Sequence, residues 1–419
     1  MAVLQARVST EELAGWSEAS TGWIFGTYAF LMFSAGVVVG PIFDANNVKA
    51  LIIPGSVGMV LTPFLLSMCK EFWHFFMTFS ILGGLSSSLL FTPCIATVGQ
   101  WFCKRRALAT GITCTSGGIG GILFPLVVLY GTAPFGFPWT LRVIGLISTL
   151  SSLTACALVR KRQSRRRHYQ PHTHHHHHLS SPTTANNNSS SSSTVAIDFR
   201  ALLDTRYALT TLAVLLAESA VFVPYTYISS YALHVGFDTQ LAFLLNVFLN
   251  VGAIPGRAIP GFVADRFGAF NILGVTTLMC ATLILAWWYM AAAETAAGVL
   301  VSFALLFGFW SGATIALTPV CVSRVCRIED YGKRSGTTYL IASFGVLVGA
   351  PIAGAMIGKN DEGGATAAAV AAGGKVGGAG GGGAFESIIL FSGLLYAACT
   401  VTLYFARGVA AGWGPKVLF

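Results

Sequence analysis

RKRQSRRRHYQPHTHHHHHLSSPTTANNNSSSSSTVAIDFRALLDTR, residues 160 to 206, divides the chain into two long hydrophobic parts. It consists mainly of Arg, His, Ser, Asn and Thr, with too little apolar area to offset the entropy of ordering it, so a mobile linker is expected. Upstream lie five apolar runs, at about 21 to 43, 50 to 69, 72 to 98, 106 to 130 and 138 to 159. Downstream lie six, at about 207 to 233, 239 to 263, 268 to 291, 296 to 322, 335 to 358 and 385 to 406. Each is close to the roughly 20 residues a helix needs to cross about 30 Å of hydrocarbon. Residues 1 to 20 then form an outer N-terminal segment, 21 to 159 a five-span bundle, and 207 to 406 a six-span bundle with a Gly/Ala-rich outer loop at 359 to 384; a tail follows at 407 to 419.

Composition excludes a soluble protein: 54% of the residues are hydrophobic and 10% charged, so the expected class is all-α integral membrane. The net charge of +9 would suggest nucleic acid in a soluble chain. Here the basic residues gather in a few loops instead and orient the chain. If the linker is cytoplasmic, so are the tail and the loops holding Lys49, Lys104 to Arg106, Arg266, and Arg324 to Arg334, and that side collects 19 of the 25 Lys and Arg. No nucleic-acid partner and no cofactor are expected. The nine cysteines are scattered and mostly inside apolar runs, as packing residues are. The histidines at 168, 172 and 174 to 178 sit in low-complexity sequence, and no span pairs His with Asp or Glu at helical spacing, so no metal site is expected. With no nucleophile-base constellation and no nucleotide-binding motif, nothing points to an enzyme.

The two parts repeat one another. Gly40-Pro-Ile-Phe-Asp44 ends one span and Gly261-Phe-Val-Ala-Asp265 ends another, 221 residues later. Thr92-Pro93 recurs as Thr318-Pro319 and Pro125 as Pro351, both 226 apart, with basic clusters between these landmarks in each part. Such repetition is the mark of a transporter built from two related bundles. On that reading the first bundle, as given, lacks its opening helix, and residues 1 to 20 correspond to the outer loop that follows it.

A GxxxD element at the end of the second span of each part resembles the signature of the major facilitator superfamily. Within it, Trp101-Phe102-Cys103-Lys104-Arg105-Arg106-Ala107-Leu108-Ala109-Thr110-Gly111 resembles the aromatic-Phe-x-Lys-Arg-Arg-x-Leu-Ala-x-Gly motif of the monocarboxylate porter family. Phe222-Val223-Pro224-Tyr225 and Gly256-Arg257-Ala258-Ile259-Pro260-Gly261 are similar to stretches of its fungal branch. The resemblance implies an alternating-access carrier of a small organic anion such as a monocarboxylate, with or without a coupled proton. Two departures stand out. The family's first helix, with its acidic-Gly-x-aromatic motif, is not in this sequence. Many animal members also carry an Asp shortly before the Arg that Arg257 matches, where this chain reads Val251-Gly252-Ala253.

Charge inside hydrocarbon costs at least about 2.5 kcal/mol, which makes Arg257 and Glu218, both well inside spans, the leading candidates. A guanidinium suits a carboxylate's two oxygens, so Arg257 is read as the substrate anchor. Glu218 is the proton-coupling candidate, and a pair between the two is one arrangement open to them; a purely structural ion pair is the competing account. Asn246, Asn250 and Arg257 share one face of their helix, and the two amides are read as further substrate ligands, with interhelical hydrogen bonding as the alternative. Tyr225 and Tyr227 are read as interface markers. Asp44 and Lys49, Asp265 and Arg266, and the Lys104, Arg105, Arg106 cluster are read as an inner gate. The glycine-rich run 111 to 121 is expected to let helices approach and slide. The rival functions are export of a larger weakly acidic metabolite and a non-transporting membrane sensor or inactive paralogue. The plasma membrane is favoured over an internal one.

Overall fold

The structure, a computed structural model, describes residues 2–8, 12–13, 16, 18–45, 48–102, 104–159, 199–289, 297–326, 331–361 and 382–412. Among these there is no strand. Helices dominate because a chain surrounded by hydrocarbon must pair its backbone N–H and C=O groups within each segment. Nine of the described helical stretches are long and apolar enough to cross a membrane. The longest, Arg106–Leu158, is two crossings in one: Gly136 takes φ 75° and ψ 163° between Pro134 and Pro138. A side chain is disfavoured at that φ, and the chain turns back there, setting Gly131 against Thr140. Tyr331–Asp361 is a further helix. Over its described residues, each of the eleven expected spans thus falls on a helix.

Apolar residues on the outer faces confirm the setting. Along the helix that ends at Leu158, Leu150 is 70% and Leu153 65% exposed, as lipid-facing side chains are. The bounds of the linker and its neighbours differ from expectation. Residues 160 to 198, with the histidine run, lie outside the described residues, whereas Phe199–Leu203 forms a short 3-10 turn that buries Ala201. Asp204 then caps Thr205–His234, its Oδ1 accepting from the N–H of Arg206 at 3.1 Å. The apolar residues of FRALL and the cap explain why helical structure is found ahead of residue 207. At the other loop, helix continues to Asp361 and resumes at Gly382, while 362 to 381 lie outside the described residues. The N-terminal segment is also more than an outer loop: Val8 and Leu13 are buried against Ile24, Phe25, Leu66 and Phe137.

Two seams join the five upstream helices to the six downstream ones. In the first, the helix starting at Arg106 lies on Thr239–Phe267; in the second, Glu18–Ser34 and its continuation Gly36–Ala45 lie on Tyr331–Asp361. The duplicated sequence landmarks do the same work in each seam, reciprocally. A Cβ at Gly261 would sit 2.7 Å from the carbonyl oxygen of Ala107, and one at Gly40 would sit 2.8 Å from that of Gly332. One turn further in, a Cβ at Gly111 would collide with the carbonyl oxygen of Arg257, and one at Gly336 would sit 3.0 Å from that of Gly36. Arg257 therefore occupies in one seam the place that Gly36, 221 residues earlier, occupies in the other.

Candidate functional site

Between the seams lies a cavity of about 630 Å³. Arg257, Glu218, Asn246, Asn250, Tyr225 and Tyr227 all line it. The structure thus gathers the four expected ligand and proton residues at one site. It also moves the two tyrosines from the membrane interface, where sequence reading put them, to the cavity wall. Tyr225 and Ser311 are joined through their hydroxyls at 3.4 Å, so the phenol is tied down within the second bundle. The first bundle contributes apolar and aromatic side chains. Phe33 stacks on Tyr339 at 5.5 Å, and Phe91 meets both rings edge-on.

Arg257 is 7% exposed, and its Nη1 donates to the carbonyl oxygen of Cys114 at 2.6 Å, across the first seam. Its buried Nε–H has no partner among the described residues. Glycine is what lets the guanidinium in, since a Cβ at Gly117 would lie 2.9 Å from Nη1. Glu218, 5% exposed, has among the described residues only the Thr318 hydroxyl within reach, at 3.4 Å from Oε1, and that hydroxyl is shared with the Ile315 carbonyl at 3.1 Å. Among the described residues no ion pair joins Arg257 to Glu218. The arrangement in which the two neutralise each other is therefore not the one adopted: the backbone of the glycine-rich run takes up the guanidinium instead. That run could be recognised in the sequence as a helix-packing surface, but its role as a cradle for Arg257 could not, because the contact spans 143 residues.

The residues expected to form a gate meet at one end of the first seam, in a form the sequence left open. The helix beginning at Arg106 has no capping side chain of its own. Asp265 supplies the cap from the other bundle, Oδ1 accepting from the N–H of Ala107 and Oδ2 from that of Leu108, both at 3.0 Å. A carboxylate there satisfies two orphan donors and meets the positive end of the helix dipole. Arg106 lies over the Tyr331 ring at 5.1 Å and so reaches the start of the helix in the second seam. Lys104, Arg105, Lys49 and Arg266 are exposed on this surface, and the side chain of Asp44 lies outside the described residues. Asp265→Ala is expected to destabilise the protein by about 1–2 kcal/mol, the worth of a charged cap. A melting temperature in detergent equal to that of the wild type would show that the cap contributes nothing.

A membrane-spanning chain whose two related helical bundles close around a central cavity, latched to each other at one end, is a multi-pass membrane transporter. The chain belongs to the Major Facilitator Superfamily, whose profile matches residues 8–350. Among similar proteins, the MFS-type transporter pynF of Aspergillus niger is 31% identical over 352 residues, which are 84% of this chain and 75% of that protein. The riboflavin transporter MCH5 of Saccharomyces cerevisiae is 28% identical over 362 residues, 85% of this chain and 68% of its own. The aspyridones efflux protein apdF of Emericella nidulans is 29% identical over 366 residues, 86% of this chain and 68% of that protein. Among solved structures, the nucleoside transporter NupG aligns with a TM-score of 0.62 at 12% identity over 97% of this chain and 94% of its own. The human organic anion transporter MFSD10 aligns at 0.61 and 14%, over 94% and 88%. At such low identity these two establish the fold alone. The family and the named relatives are transporters, and the chain is a transporter rather than an enzyme.

Proposed function

We propose that the protein carries a weakly acidic organic molecule across the membrane by alternating access, with the substrate's anionic group held at Arg257. The observation that carries this reading is the repeat itself. The place of Arg257 is filled in the other seam by Gly36, so backbone packing there does not require a charged side chain. Desolvating a guanidinium against one carbonyl is costly, and an anion entering the cavity repays it. Of the sizes of acid considered, the cavity favours the larger. A space of about 630 Å³ falls in the range of about 300–1,000 Å³ that holds drug-sized ligands and is many times the volume of a three-carbon acid. The likeness to a riboflavin transporter and an aspyridones efflux protein supports the same choice. The stretch 101 to 111 supports a monocarboxylate-porter ancestry, with the acid anchor retained and the substrate enlarged.

In this reading Asp265, Arg106 and their neighbours form the cytoplasmic gate of an outward-facing or occluded state, and the plasma membrane is the location. In proteoliposomes holding the purified chain, biphenyl-4-carboxylate should show saturable flux and lactate little. Preferential flux of lactate would restore the small-acid reading, and saturable binding with no flux of either would make the protein a sensor. Glu218 is the proposed proton carrier. Glu218→Gln, which cannot exchange a proton, should abolish accumulation driven by a pH gradient while sparing equilibrium exchange of the acid. Unchanged gradient-driven accumulation by Glu218→Gln would remove the proton from this residue.

A further inference from the structure

The hydrogen-bond directions at Asn246 and Asn250 are fixed by their neighbours. The Ser229 hydroxyl donates to the carbonyl oxygen of Ala242 at 2.8 Å, so its oxygen can only accept from Asn246, whose Nδ2 lies at 2.7 Å. The Asn250 Nδ2 donates to the backbone carbonyl of Asn246 at 2.8 Å, and a carbonyl cannot donate. One N–H of each amide is thereby committed to the protein, and both Oδ1 atoms are without a partner among the described residues. The Asn250 amide lies over Gly121, another residue of the cavity wall, in space that a Cβ would fill. Two other hydroxyls of the wall are already committed: Ser116 donates to the carbonyl of Thr113, and Ser219 to that of Leu215. One face of the helix thus offers uncommitted donors at Arg257 and uncommitted acceptors seven and eleven residues earlier.

A simple carboxylate can use only the first of these. Acceptors left without donors when substrate displaces water would count against binding. We infer that the substrate, besides its acid group, carries a hydroxyl or N–H one to two helical turns away along the helix axis, about 5–11 Å, which donates to Asn250 or Asn246. This rests on the proposal that Arg257 anchors the acid. The same cavity is lined by Phe33, Phe222 and Tyr339, so the body of the substrate is apolar and flat enough to lie against them. The two asparagines then set which acids are accepted, and Arg257 sets that an acid is accepted at all.

The test compares 4′-hydroxybiphenyl-4-carboxylate with its near-isosteric 4′-methyl analogue, by calorimetric binding to the full chain in detergent and by competition for flux in proteoliposomes. In the wild type the hydroxy acid should bind about tenfold more tightly than the methyl acid, against the trend of their hydrophobicity. In a variant carrying both Asn246→Leu and Asn250→Leu the ratio should fall to about one or below. In Arg257→Ala both acids should weaken together. A wild-type ratio near one, with binding that still needs Arg257, overturns the inference and leaves the acid anchor standing. The expected ratio with no weakening in Arg257→Ala overturns the anchor instead. If neither acid binds the wild type, both fall. The wild-type comparison needs no variant, so a failure of the asparagine double variant to fold would not blunt it.

Discussion

Arg257→Ala should lower transport of the acid substrate by about a hundredfold or more while the protein still inserts and keeps its gate-end contacts. Truncating one partner of a buried, hydrogen-bonded charge pair costs about 2–5 kcal/mol, which is roughly thirty- to several-thousandfold in affinity. The variant loses the donation to the Cys114 carbonyl but none of the backbone packing, since the close approach of Gly111 to residue 257 involves the main chain. The pseudo-equivalent Gly36 shows that such a seam closes without a side chain at this place. Arg257→Lys should fall between, keeping the charge and losing the planar fork that meets two oxygens at once. Flux in proteoliposomes at matched protein density checks both variants. Wild-type flux by Arg257→Ala would reduce the residue to a structural cation and take the acid-carrier reading with it.

Much of this site could be read from the chain before any coordinates. Ionisable residues in hydrocarbon are rare and costly, so Arg257 and Glu218 stood out singly, and helical spacing placed Asn246 and Asn250 on the face of Arg257. The paired landmarks at Gly40 and Gly261 gave two related bundles. Sequence reading went astray where the partner lies far along the chain. Asp265 could have met a lysine, an arginine or a helix end; only the fold shows it on the N–H groups of Ala107 and Leu108, more than 150 residues away. Tyr225 and Tyr227 have the composition of an interface belt, and nothing local to them tells a helix face turned to headgroups from one turned to a cavity. The division into five apolar runs before the linker and six after it was legible because hydrocarbon imposes it segment by segment. The cradle for Arg257 was not, because glycine records only that something comes close.

The glycines of that run should differ sharply in what they tolerate, and Gly111→Ala should be the most damaging. By propensity alone a Gly→Ala change inside a helix gains about 1 kcal/mol. At Gly120 that gain should show, since the nearest atom to a new Cβ is on Phe124 at 3.5 Å, an ordinary contact. At Gly118 the obstacle is Ile254 Cγ1 at 2.8 Å, the branch of a side chain that can rotate. At Gly111 it is the carbonyl oxygen of Arg257, with the Cα of Ala258 at 3.5 Å behind it, and main chain in a helix cannot swing aside. The two helices must separate, and the caps from Asp265 one turn away, already at 3.0 Å, are lost with them. A strain of about 1–3 kcal/mol falls only on the state in which this seam is shut, so it shifts the population toward an open gate by roughly five- to a hundredfold. Thr110, 4% exposed in the shut seam, reports the change. In a background without other cysteines, Thr110→Cys should be shielded from a membrane-impermeant maleimide added at the gate side. Adding Gly111→Ala should expose it and slow transport, while Gly120→Ala should do neither. Equal labelling in all three would mean that the closeness of this seam does not hold the gate.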